Sequence, residues 1–239
     1  LITSIASLVF IIIGSHAQEI KSPWALDPEL APAKQHIVPL TSEDLAVVIG
    51  GSGRTGRLIA RDLYNAGINF RPTALNLEKA KAEITTNYDW VFVDVTKPDT
   101  LTRALESATH VISAIGNVLD PEAVDYLGVV SLIEAAKREN VKHFTLISSA
   151  GVTHENHYLN RMFNDVLKWK LKSEDYLRRS GLSYTVVRPY GLLDSLDDRG
   201  AHTGILFLQG DNAQSGVVSR TDLARVCVAS LTYMAAKGK

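Results

Sequence analysis

From Leu45 onward the chain alternates between two patterns. Apolar, β-branched runs at 45–50, 68–75, 88–95, 110–115, 143–148 and 183–188 are separated by segments with helical spacing at 54–66, 77–84, 98–107, 121–139, 158–180 and 220–236. Strands that alternate with helices require a parallel sheet with helices on both faces. Runs such as "HFTLISS" are apolar through much of their length, as expected where both faces of a strand are buried. Right-handed crossovers then give a doubly wound sheet, so the expected class is α/β in a single domain. No internal repeat interrupts this order.

The first run stops on "GGSGRTGR", with Gly50, Gly53 and Gly56 spaced three apart before an amphipathic segment begins. Gly50 allows a sharp turn off the strand, Gly53 lets the backbone approach a pyrophosphate, and Gly56 lets the helix pack close to the sheet. Free N–H groups at the helix start, with the helix dipole, offer partial positive charge to phosphates. A plain structural turn is the competing explanation. The position between the first strand and first helix of an alternating array favours dinucleotide binding on a Rossmann-like sheet.

Ahead of that domain lies "SIASLVFIIIGSHA", an apolar core from Ala6 to Ile13 followed by Ser15 and Ala17 around His16. The pattern fits the apolar region and cleavage site of a signal peptide. It is shorter than the roughly 20 residues that span a bilayer. An uncleaved anchor is the alternative. The expected organisation is therefore 1–17 as a targeting segment, 18–44 as a linker or surface wrap, and 45–239 as the dinucleotide-binding domain. Entry into the secretory route or an organelle such as a complex plastid follows. After signal removal no stable membrane insertion is expected.

Composition narrows the partners. The 239 residues suffice for one sizeable core, and a net charge of −1 gives no basic face for nucleic acid. Cys227 alone excludes an internal disulfide and a multi-cysteine metal cluster. His154 and His157 beside Glu155 read as a solvated loop rather than a zinc site. The expected partner is a small-molecule substrate.

Four ordered stretches carry a family resemblance: "GGSGRTGR", "VDYLGVVSLIEAAKRENVKHFTLISSAGV", "KLKSEDYLRRSGLSYTVVRPYGLLD" and "VSRTDLARVCVASL". Together they resemble the atypical short-chain dehydrogenase/reductases, in the NmrA-like and biliverdin/flavin-reductase-like branch of NAD(P)-binding proteins. The resemblance implies a cofactor site at Gly50, Ser52, Gly53, Arg54, Thr55 and Gly56. It also implies Asp94 and Val95 beside the adenine, and Ala114, Ile115 and Gly116 beside the ribose and pyrophosphate. Lys170 and Pro189 complete the set.

The branch often carries "VRALVRNPEKA" at the second strand, its second Arg meeting the 2′-phosphate of NADP. Here "NFRPTALNLEKA" places Arg71 at the first Arg and Leu75 at the second. No acid replaces it, as an NAD-type site would require. Arg54, inside the glycine turn, is the remaining candidate cation. NADP is favoured over NAD on this basis.

Catalysis in typical members uses a Tyr, a Lys four residues later and a strand-end Ser. Ser148 and Ser149 end the fifth strand, and Lys170 matches the family's Lys, yet the Tyr position holds Val166. Without that acid, reduction of an isolated ketone lacks a contribution of about 3–5 kcal/mol. Hydride transfer from NAD(P)H to a conjugated acceptor (flavin, quinone or enone-like) is the expected oxidoreductase function, with Ser148, Ser149 and Lys170 as its catalytic candidates. A non-catalytic dinucleotide-sensing or assembly protein is the alternative, and an NAD-dependent isomerase or epimerase a weaker one. The loop from Asp194 to Gly216 is the expected substrate lid.

Overall fold

The structure is a computed structural model that describes residues 39–194, 211 and 216–232 in full, and the backbone of Ser7–Ile11 and Leu206–Gln209. Its strands are β1 (Ser7–Ile11), β2 (Ala46–Ile49), β3 (Phe70–Ala74), β4 (Val91–Phe92), β5 (His110–Ser113), β6 (His143–Ile147), β7 (Tyr184–Pro189), β8 (Gly191–Leu193), β9 (Leu206–Gln209) and β10 (Val217–Ser219). The helices are α1 (Gly56–Asn65), α2 (Leu77–Glu83), α3 (Asp99–Leu105), α4 (Val129–Arg138), α5 (Tyr158–Met162), α6 (Val166–Arg179) and α7 (Arg220–Ser230). A π-helical segment, Glu122–Gly128, leads into α4.

The main sheet runs β4-β3-β2-β5-β6-β7-β1-β9. The first six strands are all parallel and correspond to the six apolar runs of the sequence. Their order reverses between β2 and β5, the switch point at which doubly wound sheets bind ligands beyond the strands' carboxyl ends. β1 adds parallel to β7, and β9 adds antiparallel to β1. Four strands therefore lie outside the alternating pattern: β1, β9 and the small parallel pair β8–β10. Ser7–Ile11 falls within the stretch expected to be a leader, while most of the expected linker lies outside the described residues.

Alternate positions of β2 enter two different cores. Val47 and Ile49 join Val111, Phe144 and Val186 beneath α3, α4 and α6, where Leu101, Leu132, Ile133 and Leu177 complete the packing. Ala46 and Val48 join Ile112 and Val187 on the other face, against Ile59 and Leu63 of α1 and Leu223 and Cys227 of α7. Both faces are dry, which is why the central strands read as continuous apolar runs. Cys227 is fully buried and its thiol is pushed well above its ordinary value by that burial. It is a core residue.

The long helical stretch 158–180 is broken in two. Asn164 and Asp165 both take positive φ, so the chain turns between α5 and α6. The side chain of Asn160 accepts from the amides of Leu167 and Lys168, tying the two helices together across the break.

Candidate functional site

The glycine turn joins β2 to α1 at the switch point. Gly50 has φ +78, and a Cβ there would lie 3.0 Å from both the Ala114 carbonyl oxygen and Ile115 Cγ2. A Cβ on Gly56 would run into the carbonyl of Gly50, so helix and turn touch through bare backbone. At Gly53 an added Cβ would meet only the Gly50 oxygen, at 3.2 Å, and would otherwise project into open space. Gly51, which the sequence pattern did not single out, packs 3.2 Å from Thr73 on β3 by the same measure.

The start of α1 is left bare. Thr55 makes no side-chain cap, and the first turn holds no acid. Among the described residues the amides of Ser52, Arg54 and Thr55 donate to no acceptor, whereas Gly53 donates to the Gly50 carbonyl. An uncapped helix start with unpaired amides beside an open glycine fits the pyrophosphate of a dinucleotide.

Opposite the turn, the segment after β5 carries Ala114, Ile115 and Gly116. The amide of Ala114 donates to Ile49, and Gly50 packs on Ala114 and Ile115, so the two loops form one crevice. At Gly116 a Cβ would come within 3.3 Å of Asp125 Oδ1 and 3.7 Å of Lys170 Nζ. Lys170 of α6 lies 2.7 Å from Asp125 Oδ1, and the amide of Asn117 donates to Asp125 Oδ2 at 2.8 Å. The neighbouring lysines face elsewhere. Lys168 pairs with Asp165, and Lys172 sits 3.9 Å above the Trp169 ring, itself stacked on Tyr126.

Ser148 ends β6 but is not an open hydroxyl. It donates at 2.5 Å to Glu174, a fully buried carboxylate that also receives Arg188 through two hydrogen bonds and Arg178 through one. Burial works against the Arg188 charge, but the bonds and charge of Glu174 more than offset it and raise its pKa. The structure thus gives Ser148 a place in a buried ionic hub, with its hydroxyl proton directed at Glu174. Ser149 donates to the Ala150 carbonyl. Val166, at the Tyr position, is buried with Val152 and Leu167, so no hydroxyl stands there. Pro189 ends β7, its carbonyl accepting from Ala150. Tyr190 follows it half-buried, and burial with the nearby Asp211 charge raises its phenol.

At the end of β3, Leu75 is 66% exposed and Asn76 caps α2 by accepting from Lys79. Arg71 donates to the carbonyls of Ala104 and Glu106 and so serves the end of α3. Arg57 is held by Ser52 and Glu83. Arg54 is exposed and makes no hydrogen bond or ion pair among the described residues. Asp94 shapes the turn after β4: Thr96 donates to it, from side chain and backbone, and Lys97 pairs with it, holding the carboxyl below its ordinary value. Val95 is buried against Gly128, where a Cβ would lie 2.6 Å from its Cγ2.

Exposed apolar side chains gather on the segments beyond β5 and β6. Val118 and Leu119 follow the Gly116 segment, their carbonyls accepting from Asn164, and Tyr158 and Met162 lie on the neighbouring α5. Much of the expected lid lies outside the described residues. Within it Asp211 accepts from the amides of Gly151 and Thr153 and from the Thr153 hydroxyl. Burial alone would raise that carboxyl, but these donors and Arg188 hold it low. His157 caps α5 and stacks on Tyr158, and no group of metal-ligating side chains occurs among the described residues. No described helix is long and apolar enough to cross a membrane.

The parts played by Asp125, Glu174, Arg188 and Asp211 were not read from the sequence: Glu174 served only as the motif residue that marks Lys170 four positions earlier, and Asp125 showed as an acid set within the apolar helical run "AVDYLGVV".

A family described as NAD(P)H-binding matches residues 50–233. The chain is 31% identical to the uncharacterized chloroplastic protein At2g37660 of Arabidopsis thaliana, over 83% of this chain and 69% of that one. It is 29% identical to sanguinarine reductase of Eschscholzia californica, over 83% and 88% respectively. Among solved structures, the oxidoreductase ylbE of Lactococcus lactis shares the fold with a TM-score of 0.63 at 23% identity, covering 75% of this chain and 81% of that one.

Proposed function

The chain belongs to the NAD(P)H-binding family, and from that premise we propose that it reduces a conjugated acceptor such as a flavin, a quinone or an enone-like compound. The observation that carries the proposal is the crevice at the switch point, where the turn with the unpaired amides packs through Gly50 on Ala114 and Ile115, next to Gly116 and Lys170. A bound reduced nicotinamide dinucleotide supplies the hydride. The amides of Ser52, Arg54 and Thr55 hold its phosphates, and Lys170 presents a positive charge beside the reacting half. The exposed apolar side chains of Val118, Leu119, Tyr158 and Met162 offer a surface for a flat acceptor.

The missing hydroxyl at Val166 selects the acceptor. An isolated ketone needs an acid in the transition state, whereas a conjugated product anion spreads its charge and takes its proton from solvent. The name of sanguinarine reductase supports this class of acceptor for the present chain. NADP is the favoured cofactor in this proposal, with Arg54 meeting the 2′-phosphate in place of the absent Arg at Leu75. An organelle location is supported by the relative named as chloroplastic.

The test is dinucleotide oxidation with sanguinarine, a quinone and free flavin beside a simple ketone. Turnover with a conjugated acceptor and none with the ketone is the expected result. Comparable ketone reduction would overturn the proposed acceptor class. The commitment of Ser148 to Glu174 favours one second reading, a dinucleotide-sensing or assembly protein. Tight binding without turnover across the acceptors would establish it instead.

A further inference from the structure

The segment after β5 and the break between α5 and α6 meet through one side chain. The side-chain amide of Asn164 donates to the carbonyls of Val118 and Leu119, at 3.1 Å each. Neither carbonyl accepts from any other group among the described residues. Asn164 takes φ +50, a left-handed conformation that asparagine tolerates better than most residues. The turn it makes stands just past Met162 and Phe163, and its amide reaches a segment 45 and 46 residues earlier in the chain.

Each side of this bridge is ordered by contacts of its own. Asn117 accepts from the Leu119 amide at 2.9 Å and Asp120 from the Ala123 amide at 3.1 Å, which folds Val118 and Leu119 into a short turn. Across the bridge, Asn160 accepts from the amides of Leu167 and Lys168 and fixes α5 to α6. Two locally ordered pieces are thus joined by a side chain that is itself exposed. What the bridge joins is apolar: Val118 and Leu119 on one piece, Tyr158 and Met162 on the other, all four exposed.

A surface held together before a ligand arrives loses less freedom on binding than one assembled around it. That advantage goes to a ligand long enough to lie across both pieces, because a single ring is served by either one. We propose that Asn164 is a positioning residue that sets acceptor specificity. It holds the Val118–Leu119 turn and α5 as one surface and so selects acceptors of several fused rings over those of one ring. The inference rests on the proposed function and narrows the acceptor class within it.

The test compares two acceptors in the full chain at saturating dinucleotide: riboflavin, with three fused rings, and tetramethylbenzoquinone, with one. Each takes the hydride and one solvent proton, giving dihydroriboflavin or the hydroquinone beside the oxidised dinucleotide. Asn164→Gly keeps the left-handed backbone accessible and removes the amide. Asn164→Asp keeps the size of the side chain and removes the donor. Either substitution is expected to lower the riboflavin-to-quinone ratio of kcat/KM about tenfold, through a higher KM for riboflavin. Dinucleotide affinity, followed by fluorescence, should shift by less than about twofold, because neither joined piece carries the unpaired amides of the glycine turn.

An unchanged ratio would overturn the inference. So would a decline of both acceptors together with dinucleotide binding, which would show that Asn164 merely supports the loop. A wild-type protein that prefers the one-ring quinone would contradict it as well. A wild-type protein that binds the dinucleotide and reduces neither acceptor overturns the proposed function and takes this inference with it. Wild-type reduction of both acceptors, with the same ratio in the variants, overturns the inference alone.

Discussion

Helix α6 carries two buried ionic clusters four residues apart, and they differ in one respect. Around Glu174 every charge is answered: Ser148, Arg178 and Arg188 all donate to one carboxylate that water does not reach. Around Lys170 the opposite charge lies 2.7 Å away, but that contact is poorly aligned for a hydrogen bond and no second acceptor meets the ammonium among the described residues. A closed network holds the sheet end to the helix and has no capacity left for a ligand. An open pair at the mouth of a crevice does have that capacity. Ser148 and Lys170 are told apart by their partners rather than by their distance from the crevice.

The largest expected effect lies at the closed cluster. Glu174→Ala leaves Arg188 buried without its carboxylate, and urea unfolding should show a loss of about 3–5 kcal/mol. A loss comparable to that of an exposed residue would mean that the hub is not closed.

The amino-terminal end of β6 extends the comparison, because its polar groups are closed as well. His143 is buried between Ser183 and Thr185, and burial, with a smaller effect of His110, lowers its pKa from 6.5 to about 4. The folded state therefore binds fewer protons than the unfolded state between those values. Stability is full above pH 6.5 and falls as the pH drops toward 4, by up to about 3 kcal/mol from this group. His143→Gln should flatten that part of the pH–stability curve measured by urea unfolding. An unaltered slope would place the acid sensitivity elsewhere.

Ser148→Ala sharpens the distinction at the hub. Loss of one hydrogen bond to a buried carboxylate should cost about 1–2 kcal/mol of stability, while turnover per folded molecule stays within twofold or so of the unaltered protein. Selective loss of turnover would return Ser148 to the chemistry. The smallest effect is expected at the solvent-facing charge. Arg54→Ala should reduce the NADPH:NADH affinity ratio by about fivefold to tenfold, near 1 kcal/mol, and the change should shrink at high salt. An unchanged ratio would remove Arg54 as the substitute cation.

How far the sequence revealed these features follows from the range of each interaction. Six strands and the glycine turn were legible because burial on both faces leaves continuous apolar runs, and a bare helix start needs small residues in a fixed local order. The break between α5 and α6 was not legible, since Asn164 and Asp165 adopt positive φ without a glycine or proline to announce it. Lys170 was found through its place four residues before Glu174, but the same motif gave no sign of what Glu174 does. Its partners Ser148 and Arg188 lie 26 and 14 residues away, on two strands that only the fold brings alongside α6. Leu75 was read as a missing cation, and its exposure agrees with a position that packs against nothing. The strands β1 and β9 share an edge formed by segments distant in the chain, so no local period marked them.

The central claim is that the unpaired amides between Gly50 and Gly56 grip a pyrophosphate. Its most direct test is to follow backbone amide resonances of the isotopically labelled chain while NADPH or NADH is added. Saturable shifts concentrated at Ser52, Gly53, Arg54 and Thr55, with Gly116 and Asn117 moving at the same concentrations, are the predicted result. Saturation with those amides unmoved, or shifts confined to the distant cleft of Leu40, Tyr64 and Phe70, would contradict it.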